Sequence, residues 1–513
     1  METRSSLPNK DDLILVIGAT GYVGSRLVQV LLDEGFKVRA ASRSIEKLKS
    51  RLWSNHPNVT LTQLDLLDIE SAKQACSGVQ SVFYLLHSMN PKHTDFEEAD
   101  RRAAQIMVEL GARANIKQLI YLGGLGESED NLSKHLRSRA EVATILKLAP
   151  FPVTVLRAAM IIGSGSASFE IMRYLVERLP VMITPKWVST PSQPIAIRNV
   201  LNYLVGALGK EEMYNQTFDI GGPDILSYRQ LMQIYAHEAG MSEPKIIPVP
   251  VFTPRISSYW INFVTPVPAY IARPLAEGLR NEAVCKEDRI TRIIPQKLLT
   301  CQEAIKIAVD KIQHHQVESH WTDAGRMPPF EWVNSADPKW AGGTVFNDIR
   351  TLTVNGGTKE AWQAVSSIGG TTGWYYANWL WKIRGWLDFL WGGPGLRKGR
   401  RHPHDLRHGD AIDFWRVRAL IPEQRLLLIA EMKLPGQAAL EFKLIKHGED
   451  ETEIIQIARF LPKGLLGLAY WYAVSPLHEL IFNGMLLGVA RASGCHISKG
   501  ARPLRMKLSE LNA

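Results

Sequence analysis

The sequence predicts an α/β protein: a doubly wound parallel sheet over residues 1–311, joined by a linker at 312–343 to an α+β domain over 344–513. Three observations predict it. Short β-branched runs alternate with helical patterns from Leu13 to Leu156, the order that builds a parallel sheet covered on both faces. A glycine-rich turn follows the first of those runs. Beyond the stretch His314–Gly343, with Pro328, Pro329 and Pro338 among polar residues, the pattern changes to a strand, a helix, several strands and a closing apolar helix.

In order, Leu13–Ile17 reads as a buried strand, Ser25–Asp33 as a helix, and Lys37–Ala41 and Val59–Leu64 as the next strands. Val79–Leu86, Gln118–Leu122 and Val153–Leu156 complete the series. From Gly163 to Lys311 the pattern is irregular and proline-bearing, which suits a substrate-covering part. In the second domain Leu440, Phe442 and Leu444 alternate with Glu441 and Lys443, the signature of a half-buried strand. Its last element reads as a helix with Leu477, Leu480, Ile481, Gly484, Leu487 and Gly488 on one face.

Length and composition bound the function. A chain of 513 residues is too long for one core, and 45% hydrophobic with 22% charged residues is ordinary for folded domains. The net charge of +9 fits a mildly basic surface or attraction to phosphates and anionic membranes. Cys76, Cys285, Cys301 and Cys495 are too far apart for a metal or redox motif and read as reduced and buried. The N-terminus has no apolar signal segment, and no run of about 18 uncharged apolar residues suggests a span. The nearest, Gly464–Leu477, is cut short by Pro476, His478 and Glu479. The expectation is a cytoplasmic protein, with membrane contact at most peripheral.

The strand Leu13–Ile17 runs into IGATGYVG, with Gly18, Gly21 and Gly24 opening a helix. A pyrophosphate needs backbone approach without Cβ atoms and the free N–H groups of a helix start, so this is a Rossmann dinucleotide turn. Gly18, Thr20, Gly21, Tyr22, Val23 and Gly24 are its candidate contacts. An NAD site usually carries Asp or Glu at the end of the second strand. Here that place reads Ala41-Ser42-Arg43-Ser44, and Arg43 can grip a 2′-phosphate bidentately, so NADP(H) is favoured over NAD(H). Ser42 lies beside it and Lys47 is a second candidate cation. Asp65-Leu66, after the third strand, is placed to reach the adenine; a lone Asp there also suits a helix cap.

IGATGYVG, Asp65-Leu66, LRAAMIIG from Leu156 and FDIGGP from Phe218 resemble the atypical short-chain dehydrogenases, close to their complex I accessory subunit and NmrA-like branches. With GGLG, HLRSR, QPIAI and YWYAVSPLH, the whole chain resembles proteins in which such a domain is joined to a domain of unknown function. The resemblance implies NADP(H) binding and leaves the reaction open. Short-chain dehydrogenases use Tyr-x-x-x-Lys, and the matching segment here is His135-Leu-Arg-Ser-Arg139. The family's substrate-orienting Ser falls at Gly123-Gly124. Two readings stand. In one, His135 is the general acid and Arg139 holds cofactor or substrate, for an oxidoreductase acting on a hydrophobic carbonyl or quinone-like molecule. In the other, the site binds the dinucleotide without catalysis, as a sensor or assembly module.

The C-terminal domain contains a notably aromatic segment, Gly373–Trp391, in which Tyr375, Trp379, Trp386 and Leu390 share a helical face with Ile383 nearby. Arg397, Lys398, Arg400, Arg401 and Arg407 follow, with His402, His404 and His408. The segment Trp374–Arg401 suits peripheral membrane contact. It also suits the wall of an apolar cavity, or a core helix before a solvated loop. No metal set is completed by the three histidines, and no nucleic-acid motif is matched. The element order resembles the START-like helix-grip fold, which implies a hydrophobic ligand cavity.

Overall fold

The computed structural model describes residues 9–86, 96–125, 134–179, 181–249, 277–278, 281–313, 346–448, 450–462 and 464–504. The chain forms two compact units, Met1–Ala324 and Gly325–Ala513.

The first unit is built on seven parallel strands: β1 (Leu13–Ile17), β2 (Lys37–Ser42), β3 (Val59–Gln63), β4 (Ser81–Tyr84), β5 (Gln118–Gly124), β6 (Val153–Ala158) and β7 (Thr217–Ile220). Their spatial order is β7-β6-β5-β4-β1-β2-β3, so the chain reverses direction across the sheet between β1 and β4. That reversal opens a crevice at the carboxyl ends of β1 and β4, where doubly wound sheets bind ligands. Helices α1 (Tyr22–Asp33), α2 (Ile45–Lys49), α3 (Ile69–Cys76), α4 (Phe96–Arg113) and α5 (Lys134–Leu146) alternate with the strands. α1 buries Leu27, Val28 and Leu31 on one face against Ile14, Val16 and Phe83. α4 and α5 bury Ala104, Met107, Val142 and Leu146 on the other, against Leu15, Ile17 and Val82. The first unit is therefore Rossmann-like.

α6 (Ala167–Arg178), α7 (Ile197–Gly206), α8 (Tyr228–Glu238) and α9 (Cys301–Gln313) follow, with short strand pairs between them. α6, α8 and α9 share a separate core around Phe169, Leu231, Tyr235 and Ile305. β7 lies in the stretch expected to be irregular. Its four residues are too few to show a period, and its pairing with β6 is what makes it a strand. The expected linker falls almost wholly outside the described residues.

The second unit is an antiparallel sheet in the order β9-β10-β11-β12-β13-β8-β14, from β8 (Phe346–Asn355), β9 (Ala411–Ile412), β10 (Trp415–Ile421), β11 (Arg425–Ala430), β12 (Gly436–His447), β13 (Glu451–Pro462) and β14 (His496–Pro503). Helices α10 (Thr358–Ser366), α11 (Asn378–Leu390) and α12 (Gly464–Ala492) accompany it. Phe482, Met485, Leu486 and Val489 of α12 join Leu352, Leu440, Phe442 and Ile454 in one core.

Several expectations are corrected here. The last described element is not a helix, because β14 follows α12 and pairs with β8. α12 is not cut at Pro476 and runs through it for 29 residues. Among the described residues this is the one helix long and apolar enough to cross a membrane by length and composition. Its core face is Phe482, Met485, Leu486 and Val489, whereas Leu477 and Leu480 are exposed. Glu441 is wholly buried rather than on a wet face, with Arg425 Nε and Arg459 Nη2 each 2.6 Å from its carboxylate. Cys76 and Cys301 are buried, but Cys285 and Cys495 are half-buried; all four are free thiols.

The basic segment is largely internal. Arg400 donates to the carbonyls of Ser366, Ile368 and His402, and burial draws its pKa down to about 10. Arg401 pairs with Asp410 at 3.1 Å and Asp405 at 2.9 Å, and Arg407 lies 3.5 Å from Asp405. Trp374 is buried too, its indole N–H donating to Asp413 Oδ2. The expected membrane contact through Trp374–Arg401 therefore loses both its first residue and its last, because each is used to close the fold. The side chains of Arg397 and Lys398 lie outside the described residues. The core-helix reading fails for the other side of α11, where Trp379, Ile383, Trp386 and Leu390 are exposed.

Candidate functional site

The glycine turn lies at the carboxyl end of β1, and its backbone explains its composition. Gly18 has φ +86°, and a Cβ there would stand 3.0 Å from the Leu85 carbonyl oxygen beyond β4. A Cβ on Gly24 would be 2.2 Å from the Gly18 oxygen, so α1 can press against the turn only without one. The amides of Gly18 and Ala19 donate to Ala41 O, which anchors the turn to β2. No side chain caps α1 at Gly21. The first-turn amides of a helix have no carbonyl four residues back, so an uncapped start offers N–H groups and a positive dipole end to an anion. This cradle fits a dinucleotide pyrophosphate.

Thr20 Oγ1 and Ser42 Oγ lie 3.1 Å apart, which ties the turn to the end of β2. Tyr22 is directed the other way. Its ring stacks under the Arg26 guanidinium, 4.2 Å from the centroid, and its hydroxyl fills the space at Gly163. Val23 packs against the core below. Arg43 is exposed at the end of β2, whereas Lys47 is buried within α2. The second candidate cation, Lys47, is thus placed inside the fold rather than on its surface. Asp65 Oδ1 accepts the amide of Leu67 at 3.1 Å, while Asp68, not Asp65, caps α3. Leu66 is buried in the core beneath.

Three residues that buttress the turn escaped sequence reasoning. Arg51, buried, donates to the Thr20 carbonyl at 3.1 Å; Trp53 Nε1 donates to Ser25 O at 3.0 Å; Arg26 Nη2 donates to Ser164 O at 3.0 Å. Trp53 lies in a single 3-10 turn, Leu52–Asn55, that Arg51 precedes; one turn is too short to show a period, so nothing in the sequence marked them.

At the carboxyl end of β5, Gly123-Gly124 meets α5. A Cβ on Gly124 would lie 2.9 Å from Leu136 Cδ2 and 3.5 Å from Arg139 Nη1. The place where the sequence comparison looked for a hydroxyl is thus filled by Leu136 and the half-buried Arg139. Arg139 makes no ion pair among the described residues. Its carbonyl accepts Tyr121 Oη at 3.3 Å. Burial pushes the Tyr121 phenol up to about 12, with Asp100 adding to the rise and Arg139 opposing it. Tyr121 is thus a neutral phenol buried behind the sheet end. Ser138 faces inward, 3.3 Å from Asp100 Oδ2. His135 falls on α5, but its side chain lies outside the described residues.

The model of the NmrA-like family matches residues 10–271. The chain belongs to the NmrA-like family. These are NAD(P)-binding, Rossmann-type proteins of the atypical short-chain dehydrogenase group, an oxidoreductase family, and the glycine turn is where the nicotinamide dinucleotide fits. Residues 340–485 match a second family, described as a protein of unknown function (DUF2867). Among curated relatives, the chain is 25% identical over 224 residues to the NADH dehydrogenase [ubiquinone] 1 alpha subcomplex subunit 9 of Arabidopsis thaliana, covering 43% of this chain and 56% of that one. It is 24% identical over 258 residues to the divinyl chlorophyllide a 8-vinyl-reductase of the same plant, covering 47% and 61%. It is 23% identical over 242 residues to the photosystem II assembly factor Ycf39 of Cyanophora paradoxa, covering 46% and 72%. The chain thus spans little more than half the length of the first of these.

Proposed function

We propose that this NmrA-like protein is an NADP(H)-dependent reductase of a hydrophobic carbonyl or quinone-like substrate. The observation that carries the reading is Arg139: a half-buried guanidinium without an ion pair among the described residues, at the carboxyl end of β5, next to the strand that borders the crevice. A fixed cation with unused donors favours an oxygen that gains negative charge, or a phosphate. NADPH, when bound, supplies hydride. The chain's share is to hold the dinucleotide at the glycine turn, to discriminate its 2′-phosphate with Arg43 beside Ser42, and to present Arg139 to the reacting oxygen. Four residues before Arg139 on α5, His135 is the proton donor. The divinyl chlorophyllide relative is named as a reductase, which fits. The sheet gripped by α12 supports a START-like reading of the second unit, with an apolar ligand that it binds or delivers.

A second reading is favoured by one observation: Leu136 occupies the space at Gly124, and no hydroxyl stands there. On that reading the protein binds NADP(H) as a sensor or assembly module, in keeping with relatives named as a complex subunit and an assembly factor. NADPH oxidation by the full chain against a panel of carbonyls and quinones separates the two. A reductase loses about 10²–10⁴ in rate in His135→Ala with NADPH affinity intact, while Arg139→Met loses both. Turnover in His135→Ala equal to wild type removes His135 from the reaction. Tight NADPH binding with no turnover across the panel favours the module.

A further inference from the structure

We infer that the second unit docks on an anionic lipid surface through the outer face of α11 and the first half of α12. On α11, Trp379, Ile383, Trp386 and Leu390 follow one another at helical spacing on a single face, and Trp391 comes directly after. Trp379 is 64% exposed, Trp386 60% and Trp391 71%. A tryptophan carries about 150–250 Å² of surface, so three together approach the few hundred Å² beyond which monomers rarely leave an apolar patch in water. On α12, Leu466, Ala469, Ala473, Leu477 and Leu480 form a second exposed stripe, opposite the buried Trp471, Phe482 and Met485.

The residues leading into α11 touch α12. The Tyr376 ring, just before α11, lies on Gly484, where a Cβ would stand 2.3 Å from its Cγ, and Tyr375 lies on Gly488 in the same way. Leu480 is one turn before Gly484 on α12, so Tyr376 lies near the end of that stripe.

Charge selects a lipid surface as the occupant. The one acidic residue of α11, Asp388, is buried and accepts the amides of Lys433 and Gly395. The charged groups that α11 shows to water are Lys382 and, half-exposed, Arg384, with the neutral Asn378 at its start. α12 has no acidic or basic residue from Gly464 to Leu477, and Glu479 lies on the flank of its stripe. On α11, an aromatic face whose exposed charges are all cations is the composition of a helix that lies in a bilayer interface. α12 lies on the membrane rather than across it. Its second half is the core of the sheet, and Asn483 accepts Arg350 Nη1 at 2.7 Å, so a crossing would strip the fold.

The test is co-sedimentation of the full chain with vesicles of phosphatidylcholine alone and with phosphatidylglycerol added, at low and high salt. Binding should require the anionic lipid and weaken with salt, because attraction between surface charges is screened. Brominated acyl chains should quench tryptophan fluorescence on binding. Trp379→Ser/Trp386→Ser/Trp391→Ser should cut partitioning at least about tenfold, since each loses a buried apolar side chain. Leu477→Ser/Leu480→Ser, a milder variant, should cut it less with an unchanged melting curve. No binding to anionic vesicles at low salt overturns the inference. So does undiminished binding by both variants, or a dimer in solution that the tryptophan variant abolishes, since the face then belongs to a second copy.

Discussion

The Arg139 side chain lies against the bare Cα of Gly124: a Cβ built there would be 3.4 Å from Arg139 Cδ and 2.9 Å from Leu136 Cδ2. The glycine is therefore part of how the guanidinium is placed, and restoring a hydroxyl at this position does not recreate a short-chain dehydrogenase site. Gly124→Ser should push the ends of Leu136 and Arg139 away, at about 0.5–1.5 kcal/mol, the cost of displacing a side chain from its rotamer. NADPH titration and thermal melting check it. Unchanged values for both would mean that α5 is free to move and that Arg139 is not held by this contact.

Arg43 should decide between the two cofactors. It is exposed at the end of β2, beside the Thr20–Ser42 contact that closes the turn. Losing a charge-assisted hydrogen bond to a phosphate costs about 1.5–3 kcal/mol. Arg43→Ala should thus weaken NADPH roughly 10- to 100-fold and leave NADH nearly unchanged, read by fluorescence titration. Equal affinities in the wild type would remove the preference altogether.

The ion-paired triad of Glu441, Arg425 and Arg459 in the second unit predicts a non-additive response. Glu441 has no exposed surface and faces Arg425 and Arg459, of which Arg459 is itself buried. Glu441→Leu leaves Arg459 as an uncompensated buried charge, which should cost about 3–5 kcal/mol. Adding Arg459→Leu removes that charge, so the double variant should melt above the single one. Urea unfolding gives both values, and a double variant less stable than either single one contradicts the argument.

What could be read from the sequence was whatever had a period or a positional code. Leu13–Ile17 followed by three glycines and a helix was legible because a strand, a turn without Cβ atoms and an amphipathic helix each leave a mark. β7 did not, being four residues long and defined by its pairing with β6. Glu441 misled because alternation reports which residues point to opposite faces, not whether the second face is covered. The arginines after Trp391 misled in the same way. A run of charges reads as a solvated loop, but Arg401 with Asp410 and Arg400 with three carbonyls are interior contacts made through the fold. The α12 stripe was visible as a helical face, while which side met the sheet depended on strands as distant as β8, whose Arg350 bonds Asn483 across a separation of 133 residues.

Asp413 should make the second unit pH-sensitive. It is buried, accepts the Trp374 indole N–H at 3.0 Å and the Gly370 amide at 3.3 Å on the same oxygen, and has φ 52°. Burial raises its pKa from 3.8 to about 6, although those two hydrogen bonds and Arg400 favour the charged form. The folded state therefore holds the proton more tightly than the unfolded chain does. The stabilisation that follows is complete below the unfolded value of 3.8 and is lost as pH rises through about 6. Asp413→Asn keeps an oxygen for Trp374 and Gly370, tolerates a left-handed backbone, and has no charge to bury. Near pH 4 the variant and wild type should be about equally stable. By about pH 7.5 the variant should be more stable by about 1–3 kcal/mol, since each pKa unit is worth about 1.4 kcal/mol. Calorimetry of the full chain at the two pH values resolves this. A variant less stable than wild type at the higher pH would show that the carboxylate's attraction to Arg400 outweighs its burial.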